Sequence, residues 1–222
     1  MSRSGSAVDR LLLDGTGRRP RADARRNLER LVAAARSAVA EVGIDVTAHE
    51  IARRAGVGIG TFYRRVPSRG ALLETVVIEV LGQALDLADR SLDDTDPWRG
   101  FHDFSVVFVR LRAESCGISE ALGGACGPAL DEILAELRER IRLLVERAQA
   151  AGAMRRDVAW QDVPFLLAAV ATGGHTLRIT AGAEQWERNL AIVLDGLRTD
   201  RPSSLPGVPP AEPPMREAQA VP

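Results

Sequence analysis

Apolar residues return at helical spacing in block after block of this chain, and the alternation expected of strands is nearly absent. Over residues 22–42, Leu28, Leu31, Val32, Ala35, Val39 and Val42 share one stripe that Gly43 closes, which predicts a first helix. A short helix begins near residue 48, turns Ile51, Ala52 and Ala55 inward, and ends at Gly56, a residue free to take positive φ. Thr47 opens it with a Thr-x-x-Glu pattern. Its hydroxyl is placed to accept the Glu50 N–H, and the Glu50 carboxylate to reach back to the Thr47 N–H. Val57 and Phe62 then anchor a second short helix over about 58–65, held steeply against the first because Ala52 is small enough to permit close approach. Two short helices about a tight turn, roofed by a longer one, form a helix-turn-helix.

The remaining pattern predicts the body. After Pro67, Ser68 caps a long fourth helix running to about residue 92, with Leu73, Val76, Val77, Val80, Ala84, Leu87 and Ala88 at helical spacing. Asp93, Asp94 and Asp96 make a loop, and Pro97 suits the first turn of a fifth helix carrying Phe101, Phe104, Phe108 and Leu111. Residues 117–128 are small and Gly-rich, with room for one helical turn over 119–122. A stripe from Leu130 to Ala148 predicts a helix over 129–151, ended by Gly152. Residues 160–180 are apolar nearly all round, which reads as a helix buried on several sides, and 184–197 form a last amphipathic helix. The fold expected is all-α: a disordered arm over 1–20, an N-terminal three-helix DNA-binding domain over 21–66, a roughly six-helix regulatory and dimerisation domain over 67–200, and a disordered Pro-rich tail over 201–222.

Charge sharpens this division. The net charge of −1 conceals a segregation, because residues 15–70 hold twelve Arg against five acids, or +7, whereas residues 71–222 sum to −8. The positive field coincides with the helix-turn-helix. All 29 basic residues are Arg, so every phosphate contact would come from a guanidinium fork.

The stretch TAHEIARRAGVGIGTFYRRVPSRGALL resembles the DNA-binding half of the tetracycline-repressor (TetR) family, whose pattern runs roughly T-x-x-x-I-A-x-x-A-G-V-S-x-G-T-x-Y-x-H-F-x-x-K-x-x-L. Thr47, Ile51, Ala52, Ala55, Gly56, Val57, Gly60, Thr61, Tyr63 and Leu72 match it. Gly58 replaces the pattern's Ser, Arg65 its His, Val66 its Phe and Arg69 its Lys. The resemblance implies a homodimer joined through the last two helices of each subunit, a small-molecule pocket in the body, and a DNA operator as partner. Repression is the family's commoner mode.

Position along the motif nominates Thr47, His49, Ile59, Gly60, Thr61, Tyr63, Arg65 and Arg69 as DNA-binding residues. Ile59 suits either incidental exposure or contact with a thymine methyl. His49 aligns with a base-reaching position of some family members, yet a lone His is more often a solvated surface residue. Arg69 falls in the first turn of helix four, where the dipole opposes a cation, and phosphate contact would account for it. Arg53, Arg54 and Arg64 default to solvent. The cluster Arg18, Arg19 and Arg21 is either a minor-groove arm or a plain tail.

In the body, Trp98, Phe101, Phe104, Phe108, Met154, Phe165 and His175 are candidates for a ligand pocket, against the commoner fate of such a stripe as plain core. The polar inventory offers no dedicated counter-charge, so a lipophilic, near-neutral effector is expected. For assembly, Val163, Leu166, Leu167, Val170, Leu177, Trp186, Leu190, Val193, Leu194 and Leu197 offer more apolar surface than one subunit would cover, and Gly173 and Gly174 would let two helices approach near a two-fold axis.

Enzymatic chemistry finds no support: His49, His102 and His175 sit in no motif with a nucleophile, a metal-binding partner or a phosphate loop. No cofactor or metal is expected. Cys116 and Cys126 read as buried free thiols, and the lack of an 18-residue apolar run or leader pattern leads to an expectation of a cytoplasmic protein with no membrane partner. The competing reading is a helical carrier of apolar ligands, or an interaction scaffold, with a vestigial helix-turn-helix.

Overall fold

The computed structural model describes residues 22–43, 45–114, 128–170, 175–198, 200 and 202–211. Among them are eight helices: α1 (Ala22–Val42), α2 (Ala48–Ala55), α3 (Ile59–Arg65), α4 (Arg69–Leu92), α5 (Pro97–Glu114), α6 (Pro128–Ala150), α7 (Asp162–Val170) and α8 (Gln185–Arg198). The fold is all-α apart from one two-stranded ladder, described below.

Two cores meet on α4. Leu28, Leu31 and Ala35 of α1, Ile51, Ala52 and Ala55 of α2 and Phe62 of α3 pack with Leu72, Leu73 and Val76 to form the reader core. One residue later the same helix changes allegiance. Val77, Ile78, Leu81, Ala84 and Ala88 belong to the body core, with Phe101, Phe104 and Phe108 of α5 and the inner faces of α6, α7 and α8. The reader core therefore runs past residue 66 into the first two turns of α4.

Helix ends are fixed by specific partners. Ser68 caps α4 by accepting the Ala71 N–H at 3.1 Å. At its other end, Arg147 of α6 donates to the carbonyls of Leu92 and Asp94, two groups that no intrahelical N–H reaches. Asp96 then accepts the Trp98 and Arg99 N–H groups, with Pro97 in the first position of α5 as its pattern predicts. The α4–α5 turn is tight enough that Gly100 sits against the Ser91 carbonyl.

The continuous helix expected over 160–180 is not formed. After α7 ends at Val170, the chain is extended in β1 (His175–Thr176) and β2 (Ile179–Thr180), antiparallel strands that pair His175 with Thr180 and Thr176 with Ile179. Leu177 and Arg178 make the turn at φ 49° and 64°. Thr176, Ile179 and Thr180 are β-branched and suit a strand, and the two sequential glycines before them are poor helix formers. An apolar run has no periodicity with which to tell the two apart.

The arm over 1–20, the turn over 119–122, Cys116 and Cys126 lie outside the described residues. Residues 202–211 leave α8 without helix or strand, and the Arg155 guanidinium holds the Ser203 carbonyl at 2.8 Å.

Candidate nucleic-acid interface and effector body

The reader's geometry begins at Thr47, whose hydroxyl accepts the Glu50 N–H at 3.2 Å, as the sequence predicts. The reciprocal half of that capping box is absent. The Glu50 carboxylate turns to Arg53, at 2.6 and 2.9 Å, and to Arg54 at 2.7 Å, and Arg54 continues to Glu41 of α1 at 2.7 Å. A charged donor outcompetes a neutral N–H. The result holds α2 against α1.

Gly56 closes α2 at φ 63°, with its N–H shared between the Ala52 and Arg53 carbonyls. Val57 donates to Ala52 at 3.0 Å, the second bond of a helix-ending turn, while Arg30 Nη2 donates to the Gly56 carbonyl at 3.2 Å. The direction in which α3 leaves is thus set by backbone bonds on both sides of one glycine.

On α3, Phe62 is the buried anchor and its neighbours face outward. Tyr63 is 59% exposed and stands edge-on to Phe62, with ring centroids 5.2 Å apart at 76°. Gly60, Arg64, Arg65 and, on α2, His49 are exposed as well. Thr61 is half-buried, and its hydroxyl accepts Arg64 Nη2 at 3.2 Å. Arg64, assigned to solvent by default from sequence, is therefore part of the same polar edge; the signal was its i+3 spacing from Thr61. Ile59 is partly buried against the reader core, so its side chain is largely committed to packing. Gly58 precedes α3 without a side-chain cap. Arg69 is half-buried and donates Nε–H to the Val46 carbonyl, which accounts for a cation in the first turn of α4 without calling on DNA.

A family model for bacterial regulatory proteins of the tetR family matches residues 31–76. A second, for the C-terminal domain of SbtR-like transcriptional regulators, matches residues 96–199. A TetR transcription regulatory protein from Mycobacterium vanbaalenii is 31% identical, with 80% of this chain and 98% of that one covered and a TM-score of 0.54. The chain belongs to the TetR family. A TetR transcriptional regulator from Streptomyces coelicolor is similar at 28% identity, with 78% and 99% coverage and a TM-score of 0.57. A fatty acid degradation regulator from Bacillus halodurans, 17% identical over 77% of this chain and 99% of its own, has the same fold with a TM-score of 0.55. Among curated proteins none matches.

The body of this TetR-family regulator separates residues that the sequence grouped together. Phe101, Phe104, Phe108 and Met154 are buried in one core, with Phe104 and Phe108 stacked at 5.6 Å. Trp98 is half-buried, 5.6 Å from Phe101, and the Arg198 guanidinium lies 4.9 Å over its ring. Phe165 does not join them: it is 65% exposed on the outer side of α7, about 200° around the helix from buried Val163. His175 opens β1, and its side chain lies outside the described residues. A polar group was missed. Arg112 of α5 is half-buried, its Nε has no hydrogen-bond partner among the described residues, and burial holds its pKa below the ordinary arginine value. Arg112 is thus a cation in a body expected to offer no dedicated counter-charge.

The expected surplus of apolar surface on the last two helices is also corrected. Val163, Leu167, Val170, Leu190, Leu194 and Leu197 are buried in the subunit's own core, with Leu166, Trp186 and Val193 packed beside them. Leu177 is 90% exposed in the hairpin turn, and Gly173 and Gly174 lie outside the described residues. Exposed apolar residues on these helices are Phe165 and Ala169 of α7 and Ala191 and Ile192 of α8. Among the described residues no helix is long and apolar enough to cross a membrane.

Proposed function

We propose that this regulator is a repressor that binds a pseudo-palindromic DNA operator as a homodimer and releases it when a small, largely apolar effector enters the body. The observation that carries this reading is the outer edge of α3. Gly60, Tyr63, Arg64 and Arg65 are exposed there, His49 is exposed on α2, and α3 contains no acid. Side chains of such an edge can reach base edges while the arginines meet phosphates.

Dimerisation supplies the second half-site, since consecutive major grooves on one face of DNA lie about 34 Å apart. The exposed apolar residues Phe165, Ala169, Ala191 and Ile192 are the ones we assign to it. Release follows from α4, which contributes to both cores: an effector that displaces it moves the two α3 helices relative to each other.

The test is selection of duplexes from a random pool, followed by titration at several salt concentrations. A palindromic consensus is expected, with log K falling by about 0.9 per decade of salt for each phosphate contact. Recovery of no sequence-specific duplex would remove the DNA-binding reading and leave the carrier or scaffold.

A further inference from the structure

We propose that Arg112 anchors a carboxylate of the effector, so that the ligand of this regulator is an acidic amphiphile rather than a neutral lipophile. The inference rests on the effector-responsive reading above and names the chemistry of its ligand.

Helical spacing places Arg112 on the inner face of α5. Phe101, Phe104, Ser105, Phe108 and Arg112 recur three or four residues apart, and the first four are buried. Arg110, two residues before Arg112, is exposed. Arg112 is thus the last rung of a ladder that faces inward. Buried Ser105 satisfies its hydroxyl within the helix, donating to the Phe101 carbonyl at 2.8 Å.

Other arginines of the body find partners within the fold. Arg140 reaches Asp89, Arg147 the carbonyls at the end of α4, and Arg155 its neighbour Asp157. Arg112 Nε is closed to solvent and has no hydrogen-bond partner among the described residues. An arginine cannot relieve burial by losing its proton, and an unpaired donor in apolar surroundings is costly to keep. An apolar side chain would pack there more favourably. The guanidinium edge at Nε instead matches a carboxylate, and the phenyl rings preceding it match an apolar tail.

Position connects this group to the reader. Arg112 lies roughly 22 Å along α5 from Pro97, and the same distance back along α4 from Leu92, across the short turn that joins the two packed helices, reaches about Val77, where the two cores meet. Nε is closed to water in this conformation, so a ligand that satisfies it binds a conformation in which the α5 face has shifted. Unequal affinity for the two conformations is the condition for a ligand to act at a distance.

The experiment uses the full chain and matched probes: decanoate against decanol, and benzoate against benzyl alcohol, by calorimetry. Wild type should bind at least one acid about tenfold or more tightly than its alcohol. Arg112→Gln should erase that preference and Arg112→Lys restore part of it. Without probe, Arg112→Gln should melt no lower than wild type and keep its operator affinity. The proposal is overturned if no acid is preferred over its alcohol, absence of binding up to about 1 mM included. It is overturned equally if Arg112→Gln keeps the preference, or melts well below wild type, which would make Arg112 structural. Acid binding that depends on Arg112 but leaves operator affinity unchanged upholds the anchor and refutes the effector reading.

Discussion

Arg69 donates its Nε–H to the backbone carbonyl of Val46, tying the first turn of α4 to the loop ahead of the helix-turn-helix. Val46 is itself buried, so removing the donor leaves its carbonyl short of a replacement. Arg69→Ala should lower stability by about 1–2 kcal/mol in urea unfolding. Operator affinity should fall with it, while the salt slope changes by less than the ~0.9 that a lost phosphate contact removes. A full unit of slope would instead assign Arg69 to the DNA backbone.

Acid should loosen the reader through Glu50. Hydrogen bonds from Arg53 and then Arg54 hold its carboxyl down from 4.5 to about 2. Folding therefore favours the ionised form, and the contribution is complete above the unfolded value and lost as pH falls towards the folded one. Melts of wild type and Glu50→Gln should differ by a constant amount above about pH 5 and converge towards about pH 2. A difference independent of pH across that window would show that the network contributes nothing through ionisation.

Two glycines should respond in opposite directions to alanine. A methyl group at Gly100 would lie 2.2 Å from the Ser91 carbonyl oxygen, so α4 and α5 must separate to admit it. Gly100→Ala should cost about 2–3 kcal/mol. At Gly82, within α4, nothing lies within 4 Å of the added carbon, and Gly82→Ala should stabilise by up to about 1 kcal/mol. Denaturant midpoints measure both.

For assembly, Leu194 and Ile192 give the discriminating pair. Leu194 is 5% exposed inside the subunit, so Leu194→Arg buries an unpaired charge and should unfold the body, by about 3 kcal/mol or more. Ile192 is 65% exposed, and Ile192→Arg should leave a folded chain that sediments as a monomer. An unchanged dimer for Ile192→Arg would move the interface elsewhere.

What could be read in the sequence was local. Thr47, Gly56 and Phe62 declare a cap, a stop and an anchor within sixteen residues, and Asp96 with Pro97 declares a helix start. Each acts through bonds to backbone a few residues away. Three matters were not local. Glu50 pairs with Arg53 and Arg54 of its own helix, but the further reach of Arg54 to Glu41 of another helix is set by packing. The inner faces of α7 and α8 read in sequence as surplus apolar surface and pack in the subunit's own core, because a stripe records that it is covered, not by what. Arg112 differs from the exposed Arg110 only in phase, four residues after Phe108, and the want of a partner for its Nε among the described residues is a property of packing.

Val76 and Val77 are neighbours on α4, yet each is a founding member of a different core. A chain cut after Val66 would forfeit Leu72, Leu73 and Val76, and with them the floor on which Phe62 rests. The smallest autonomous reader must therefore carry the opening turns of the helix that serves the body. Heat or denaturant should not melt one half and spare the other, because the shared helix cannot fray at its middle without opening both. The same continuity that transmits a signal binds the two halves into a single cooperative unit.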